Sequence, residues 1–145
     1  MKALARLSVL FVLFLLVGCA TTGPKFTELS SHITNVAPNL GRIYFYRTSV
    51  LGAAIQPEVK INGEGVGKAV PNGFFYVDKV PGNYEIMTST EVDRKLSLTL
   101  DGGQTRYVRL NISMGFFVGH VYPELVDLDV GTKEIQNCRY IGKDK

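Results

Sequence analysis

Apolar and polar side chains alternate along much of the chain after residue 40, which is the pattern of strands with one buried face. The plainest case is Leu96, Leu98 and Leu100, which would face a core while Ser97 and Thr99 face water. Segments of this kind recur about every ten residues, with turn residues between them. We predict strands at 41–47, 57–61, 65–70, 74–80, 84–88, 94–100, 105–112 and 116–122. This spacing predicts a mainly β fold, an antiparallel β-sandwich or partly open barrel of about seven to eight strands.

Turn residues indicate how these strands connect. Asn62-Gly63 most readily adopts the positive φ angles of a tight hairpin turn, and Gly65 and Gly67 in the return arm indicate a bulge or a close backbone approach. Pro81-Gly82 suits a type II turn, in which the glycine takes a positive φ. The turn Asp101-Gly102-Gly103 predicts that the two strands on either side of it pair as antiparallel neighbours.

The C-terminal segment has a different spacing. Residues 132–141 predict a short helix with Ile135, Cys138 and Ile141 facing inward. Alternation through Ile135 and Asn137 leaves a strand open as the alternative. Because Cys138 lies among apolar-spaced positions, we expect it to be a buried small hydrophobe rather than an intermolecular disulfide partner.

The first residues have the form of an export signal. Lys2 and Arg6 precede an apolar run of 12 residues, Leu7–Gly18, which is shorter than the roughly 20 residues that a membrane-spanning helix needs. The run ends in Leu16-Val17-Gly18-Cys19, which resembles a bacterial lipobox. That resemblance implies cleavage between Gly18 and Cys19 and attachment of lipid to the Cys19 thiol.

This signal divides the chain into three parts. Residues 1–18 are predicted to be a lipoprotein signal peptide that is removed, 19–39 a lipidated N-terminus with a flexible tether, and 40–145 a single β-rich domain. For residues 26–33 of the tether, a helical turn or docking on the domain is left open. Two or more acyl chains give stable anchoring, so the membrane would be held through Cys19. The second residue of the mature chain would be Ala20 rather than Asp. In this the chain is similar to lipoproteins that are sorted to the outer membrane of a diderm host, which implies a domain that faces the periplasm.

Charge excludes one class of partner. Two of the 16 basic residues lie in the export signal, and the 13 acidic residues nearly balance the rest. Nucleic-acid binding needs a basic patch, so we expect no nucleic-acid partner.

Several motifs in the predicted domain resemble one family. They are Gly41–Arg47, Val59–Gly63 with Val66-Gly67, Gly73–Tyr76, Val80–Tyr84 and Gly103–Val108. These motifs resemble the DUF2846 lipoproteins of bacteria, an uncharacterised family of small, lipid-anchored, β-rich proteins, which brings no catalytic residues across. The order of the turn motifs also resembles PEGA-like and transthyretin-like β-sandwiches, a similarity that bears on fold rather than function.

Sequence motifs for catalysis, metal or cofactor are weak. His120, Glu124, Asp127 and Asp129 lie near one another in sequence, but without Cys/His pairs they are expected to be solvated side chains. The glycine-rich run 63–68 lacks the Gly-Lys-Ser/Thr ending of a phosphate-binding loop and is explained by the hairpin. We therefore predict no catalytic residue, no metal and no cofactor.

Aromatic runs give the remaining candidate site. Adjacent strand residues point to opposite faces of a sheet, so part of each run must be exposed or covered by another element. We predict a binding surface from Tyr44, Tyr46, Phe75 and Phe117, with covering by the tether or the C-terminal helix as the alternative. The expected function is a non-enzymatic envelope lipoprotein that acts through binding or structural contacts with an envelope protein. A glycan- or peptidoglycan-binding module is the alternative, and an envelope hydrolase is third.

Overall fold

The computed structural model of the chain describes residues 21–90, 92–115 and 119–142, which contain nine strands, two short α-helices and one 3-10 turn. The strands are β1 (Gly41–Arg47), β2 (Glu58–Ile61), β3 (Glu64–Lys68), β4 (Gly73–Lys79), β5 (Gly82–Ser89), β6 (Asp93–Leu100), β7 (Thr105–Met114), β8 (Gly119–Val126) and β9 (Arg139–Tyr140). The helices are α1 (Phe26–Leu29) and α2 (Leu128–Glu134), and the 3-10 turn at Ile135–Asn137 follows α2. The predicted strands are confirmed within a few residues of their limits, and positions 116–118 of the last one lie outside the described residues.

The strands form two sheets in a sandwich-like arrangement, which confirms the predicted fold class. The first sheet has the order β8-β7-β1-β4-β9 and the second has the order β3-β2-β5-β6. The second sheet is antiparallel throughout. The first sheet is mixed, because β1 runs parallel to β7 and β4 runs parallel to β9.

Two predicted connections are wrong. β6 and β7 do not pair across the turn at 101–104, because β6 pairs with β5 in the second sheet and β7 pairs with β1 and β8 in the first. Gly82 does not take the positive φ of a type II turn. Instead the chain passes at Val80-Pro81 from β4 in the first sheet to β5 in the second. Both turns therefore carry the chain from one sheet to the other rather than between neighbouring strands of one sheet.

The predicted hairpin at Asn62-Gly63 is confirmed. Asn62 has φ 49° and Gly63 has φ 85°, and the turn joins the antiparallel strands β2 and β3. The pairing shifts register between Val59 and Lys60, as the prediction of a bulge required. At Gly67 the backbone approaches the ring of Phe75 so closely that a β-carbon would lie 2.6 Å from it.

The main core lies between the two sheets. Inward residues of the first sheet, such as Phe45 and Phe75, meet inward residues of the second, such as Ile86 and Leu100. The rings of Phe45 and Phe75 stack with centroids 5.0 Å apart across the β1–β4 pair. Burial of such apolar surface is the main stabilising contribution to a fold of this kind.

A second core covers the outer face of the first sheet. Its buried members are Phe26, Tyr44, Tyr46, Phe74, Tyr107, Ile135 and Cys138. The covering side chains come from α1 and from the C-terminal segment, so helices form a third layer on the sandwich. The predicted C-terminal helix is confirmed as α2 and the 3-10 turn, but it begins earlier than expected and ends at Asn137. Arg139 and Tyr140 then form the edge strand β9.

The segment predicted as a flexible tether is largely docked. The amide of Phe26 donates to the carbonyl of Cys138 at 2.9 Å, and the Phe26 side chain is buried. The amide of Tyr140 donates to the carbonyl of Pro24 at 2.9 Å. Within the predicted tether, the segment from Gly23 to Thr34 is therefore held on the domain, because Phe26 gains a buried aromatic pocket that local sequence does not reveal.

Candidate functional site

The predicted aromatic binding surface is wrong for three of its four residues. Tyr44, Tyr46 and Phe75 are 6%, 0% and 3% exposed, respectively. Phe75 faces the core between the sheets, whereas Tyr44 and Tyr46 face the helical layer. The alternative, covering by the N-terminal and C-terminal segments, is confirmed for the two tyrosines. Phe117 lies outside the described residues.

The buried aromatic residues hold the N-terminal segment in place. The Phe26 ring packs edge-on against Phe74 at 5.3 Å and against Tyr44 at 5.7 Å between centroids. Edge-to-face pairs of this kind stabilise beyond the area that they bury. Tyr44 and Phe74 therefore line a pocket that is filled by Phe26 of α1, so they do not offer a surface to a ligand.

Arg42, on the same face of β1 as Tyr44, also binds this N-terminal segment. Its guanidinium makes a two-pronged ion pair with Asp78 at 2.7 and 2.8 Å and donates to the carbonyl of Thr34 at 2.8 Å. The guanidinium also lies 4.4 Å from the ring centroid of Tyr76. The side-chain hydrogen bond with Asp78 raises the pKa of Arg42, so its charge is fixed at every physiological pH.

A polar network joins the first sheet to α2. Arg109 donates to Glu124 at 2.9 Å and to Glu134 at 2.6 Å, and Asn111 also donates to Glu124. The buried hydroxyl of Tyr46 donates to Glu134 at 2.6 Å. Burial is the main cause that raises the pKa of Tyr46, and the hydrogen bond to Glu134 raises this pKa further. Each carboxylate is matched by a donor of the fold, which makes the network a structural connection.

The residues considered for catalysis or metal binding do not converge in this structure. His120 lies on β8 with Nδ1 3.1 Å from the hydroxyl of Thr90, while Glu124 bonds Arg109 and Asn111. Asp127 precedes α2 and Asp129 lies in its first turn, so the two do not share a strand face. Within residues 21–90, 92–115 and 119–142, three or more His, Cys, Asp or Glu side chains are nowhere arranged to hold a metal ion.

A shallow depression of about 400 Å³ lies on the second sheet. Its lining residues are Asn62, Asn83, Tyr84, Glu85, Ser97, Leu98 and Thr99. Several of their polar groups bond one another, since Thr99 donates to Asn83 at 2.8 Å and the Glu85 amide donates to Asn62 at 2.8 Å. The depression is thus a polar surface whose hydrogen-bonding capacity is already partly used.

Arg47 is a fully buried cation that sequence reasoning missed. It is 0% exposed and donates to the backbone carbonyls of Leu51, Gly52, Ile55 and Ala69 at 2.5 to 3.1 Å. Burial lowers its pKa. These hydrogen bonds hold the loop between β1 and β2 against the end of the sandwich. Nothing in the local sequence separates Arg47 from the other strand arginines.

The N-terminal segment is hydrogen-bonded to the edge of the first sheet. The guanidinium of Arg139 donates to the carbonyl of Gly23 at 2.9 Å. The backbone of Lys25 also pairs with that of Arg139 in an isolated antiparallel β-bridge. The chain is therefore bound to the domain edge from Gly23 onward, four residues after Cys19. Cys19 itself lies outside the described residues. Within the described ranges we find no helix with the length and apolar character needed to cross a bilayer.

Two comparisons relate the chain to proteins without an assigned role. A family model described as "Protein of unknown function (DUF2846)" matches residues 37–121. An "Uncharacterized protein" of Haemophilus influenzae is 30% identical over 135 residues, which cover 90% of this chain and 80% of that protein. No solved structure matches the chain.

Proposed function

The chain belongs to the DUF2846 family, and we propose from its own residues that it is a lipid-anchored protein of the cell envelope that acts through surface contacts rather than catalysis. The observation that carries the proposal is the lipobox-like Leu16–Cys19 behind Lys2, Arg6 and a short apolar run. A thioether-linked diacylglyceryl group on Cys19 gives at least two acyl chains, enough for stable anchoring.

The docked N-terminal segment would keep the domain close to the lipid anchor. Because Gly23 and Pro24 are hydrogen-bonded to β9, only the residues from Cys19 to Thr22 lie between the lipid and the domain. Four residues span at most about 14 Å when extended. The lipid would thus hold the β-domain directly at a membrane surface, and partners would meet it there.

Metabolic labelling tests the anchor. Cells expressing the chain and fed an alkyne analogue of palmitate should yield a labelled protein, and Cys19→Ser should lose the label and accumulate at precursor size. Cys138→Ser is the matched control because Cys138 is the other cysteine, and it should keep the label. Equal labelling of the wild type and Cys19→Ser would sink the proposal.

Sorting is tested separately in a diderm host. Density-gradient fractionation should place the wild type in the outer membrane and Ala20→Asp in the inner membrane. Recovery of both proteins in the inner membrane would overturn the outer-membrane assignment while leaving the anchor intact.

A glycan-binding role loses its main support in the structure. Three of the four aromatic residues expected to stack on sugars, Tyr44, Tyr46 and Phe75, are buried, and the fourth, Phe117, lies outside the described residues. We therefore expect the purified protein not to co-sediment with peptidoglycan sacculi. Saturable co-sedimentation that survives high salt would favour a glycan ligand over a protein partner.

A further inference from the structure

The N-terminal segment leaves the domain in a direction that its pairing fixes. Its backbone pairs antiparallel with β9, and the amide of Tyr140 donates to the carbonyl of Pro24 at 2.9 Å. β9 runs parallel to β4, with Tyr140 paired to Phe74. From Pro24 back toward Cys19 the chain therefore starts in the direction of β4, toward the end of the sheet at Lys79.

The length of this connection matches the rest of β4. Cys19 lies five positions before Pro24, and Lys79, the last residue of β4, lies five positions after Phe74. An extended chain rises about 3.3 Å per residue, so each of these stretches can cover about 17 Å. An extended connection would therefore bring Cys19 level with the end of β4.

Three loops meet at this end of the domain, and we call them together the exit end. They are residues 37–40 before β1, 80–82 at the passage from β4 to β5, and 101–103 between β6 and β7. The amide of Gly103 donates to the carbonyl of Leu40 at 2.8 Å. A β-carbon at Gly102 would lie 2.5 Å from the carbonyl oxygen of Pro38 and 3.7 Å from the ring of Pro81. The loops therefore form one continuous surface next to the end of β4.

The exit end itself carries little charge. Asp101 is the one ionisable side chain among residues 37–40, 80–82 and 101–103, and the others are glycine, proline or small uncharged and apolar residues. Val80 is 62% exposed. Contact with lipid headgroups removes water from such a surface at little cost, because few charged groups lose their hydration. The exit end is therefore suited to lie against a bilayer.

Charges around the exit end do not attract anionic lipid. The nearby basic side chains are Arg42, Lys79 and Arg106, and the nearby acidic ones are Glu64, Asp78, Asp101, Asp127 and Asp129. Two of the basic side chains are already paired, Arg42 with Asp78 and Lys79 with Glu64. Because acidic groups are in excess, the short connection to the lipid, rather than electrostatic attraction, is what would hold this end at a membrane.

We propose that the short connection to Cys19 holds the exit end against the bilayer, so that the strands rise from the membrane and the opposite end of the sandwich projects into the aqueous space. This inference rests on the proposed lipid anchor. β7 starts at Thr105 next to the exit end and ends at Met114, nine positions or about 30 Å further along the strand. Met114 is 63% exposed and marks the end that would lie away from the membrane.

Short-range quenching tests the orientation. The mature lipidated protein carrying Asn39→Cys, Val80→Cys or Met114→Cys, all at exposed positions, is labelled with nitrobenzoxadiazole and reconstituted into phosphatidylethanolamine–phosphatidylglycerol vesicles. Cys138 is buried and should not take up the label under native conditions. Lipid with a nitroxide on its headgroup should quench the labels at 39 and 80 several-fold more strongly than the label at 114.

A longer connection is the matched control. About 12 Gly/Ser residues inserted between Ala20 and Thr21 form a flexible coil and leave both the acylated cysteine and the docked segment in place. In this variant the quenching of the three labels should become nearly equal. Retention of the full difference would overturn the inference, because something other than the short connection would then set the orientation.

The outcomes separate this inference from the proposed anchor. If mass spectrometry finds no lipid on Cys19 and the protein leaves the vesicles, the anchor proposal fails. If the protein is acylated and bound but the labels at 39 and 80 are quenched no more than the label at 114, the orientation is wrong while the anchor stands.

Discussion

The hydroxyl of Tyr46 in β1 donates a 2.6 Å hydrogen bond to the carboxylate of Glu134 at the end of α2, 88 residues later in the chain. Tyr46 is fully buried and Glu134 also accepts from Arg109, so the pair fixes the helical layer to the first sheet. Neither residue lies in a sequence motif that predicts this contact, which is formed only in the folded domain.

Removal of the Tyr46 hydroxyl should lower the free energy of unfolding. A hydrogen bond to a charged acceptor contributes about 1.5–3 kcal/mol, and Tyr46→Phe should cost an amount in this range. Urea denaturation followed by circular dichroism measures the change. Tyr84→Phe is the control because its hydroxyl bonds the Val80 carbonyl at an exposed site, and it should cost less. Equal effects of the two substitutions would contradict the assigned role of the pair.

Loss of the buried guanidinium of Arg47 should be more damaging. Arg47→Met removes the donor of the Leu51, Ile55 and Ala69 carbonyls, each an unsatisfied acceptor that costs about 1–3 kcal/mol where it stays buried, while the Gly52 carbonyl keeps its bond from the Ile55 amide. Arg47→Lys should lose less because one ammonium still reaches part of the set. The midpoint of urea unfolding reports the difference. Arg94→Met, at an exposed arginine, should leave that midpoint unchanged.

The thiol of Cys138 should be unreactive in the folded protein. It is 2% exposed, and burial raises its pKa to about 12 from an ordinary 9.0, so little thiolate forms near neutral pH. Ellman's reagent should react with Cys138 only at the rate of unfolding and rapidly in denaturant. Fast reaction of the native protein would show that the C-terminal segment opens on its own.

Alkaline pH should weaken the fold. The native state keeps the protons of Tyr46 and Cys138 after the unfolded chain has released them, because burial raises both pKa values. The unfolded state then binds fewer protons, and the free energy of unfolding falls as pH rises above the ordinary values of 9.0 and 10.0. Urea midpoints between pH 7 and about 11 should decline, less steeply in Tyr46→Phe. A constant midpoint over this range would contradict the linkage of Tyr46 and Cys138 to folding.

Family motifs in the sequence are mostly turn and strand-end residues, and the structure explains their roles. Asn62-Gly63 adopts the positive φ angles of its hairpin, and Gly67 leaves space for the Phe75 ring. These roles follow from backbone geometry over a few residues, which is why the strand positions could be predicted. The candidate site could be predicted only in part: the sequence identifies the aromatic residues, but it does not reveal that they are covered.

Local sequence determined the strands, the hairpin and the burial of Cys138, because alternation and turn chemistry are properties of neighbouring residues. The export signal is a prediction from the same kind of local pattern. Tertiary structure alone decided that β1 pairs in parallel with β7, that β6 and β7 lie in different sheets, and that Phe26 covers Tyr44. A strand has the same alternation whichever neighbour it meets, and an aromatic residue is exposed or buried according to what distant segment packs on it. Those choices depend on the free energy of the whole packed domain, which short-range patterns do not contain.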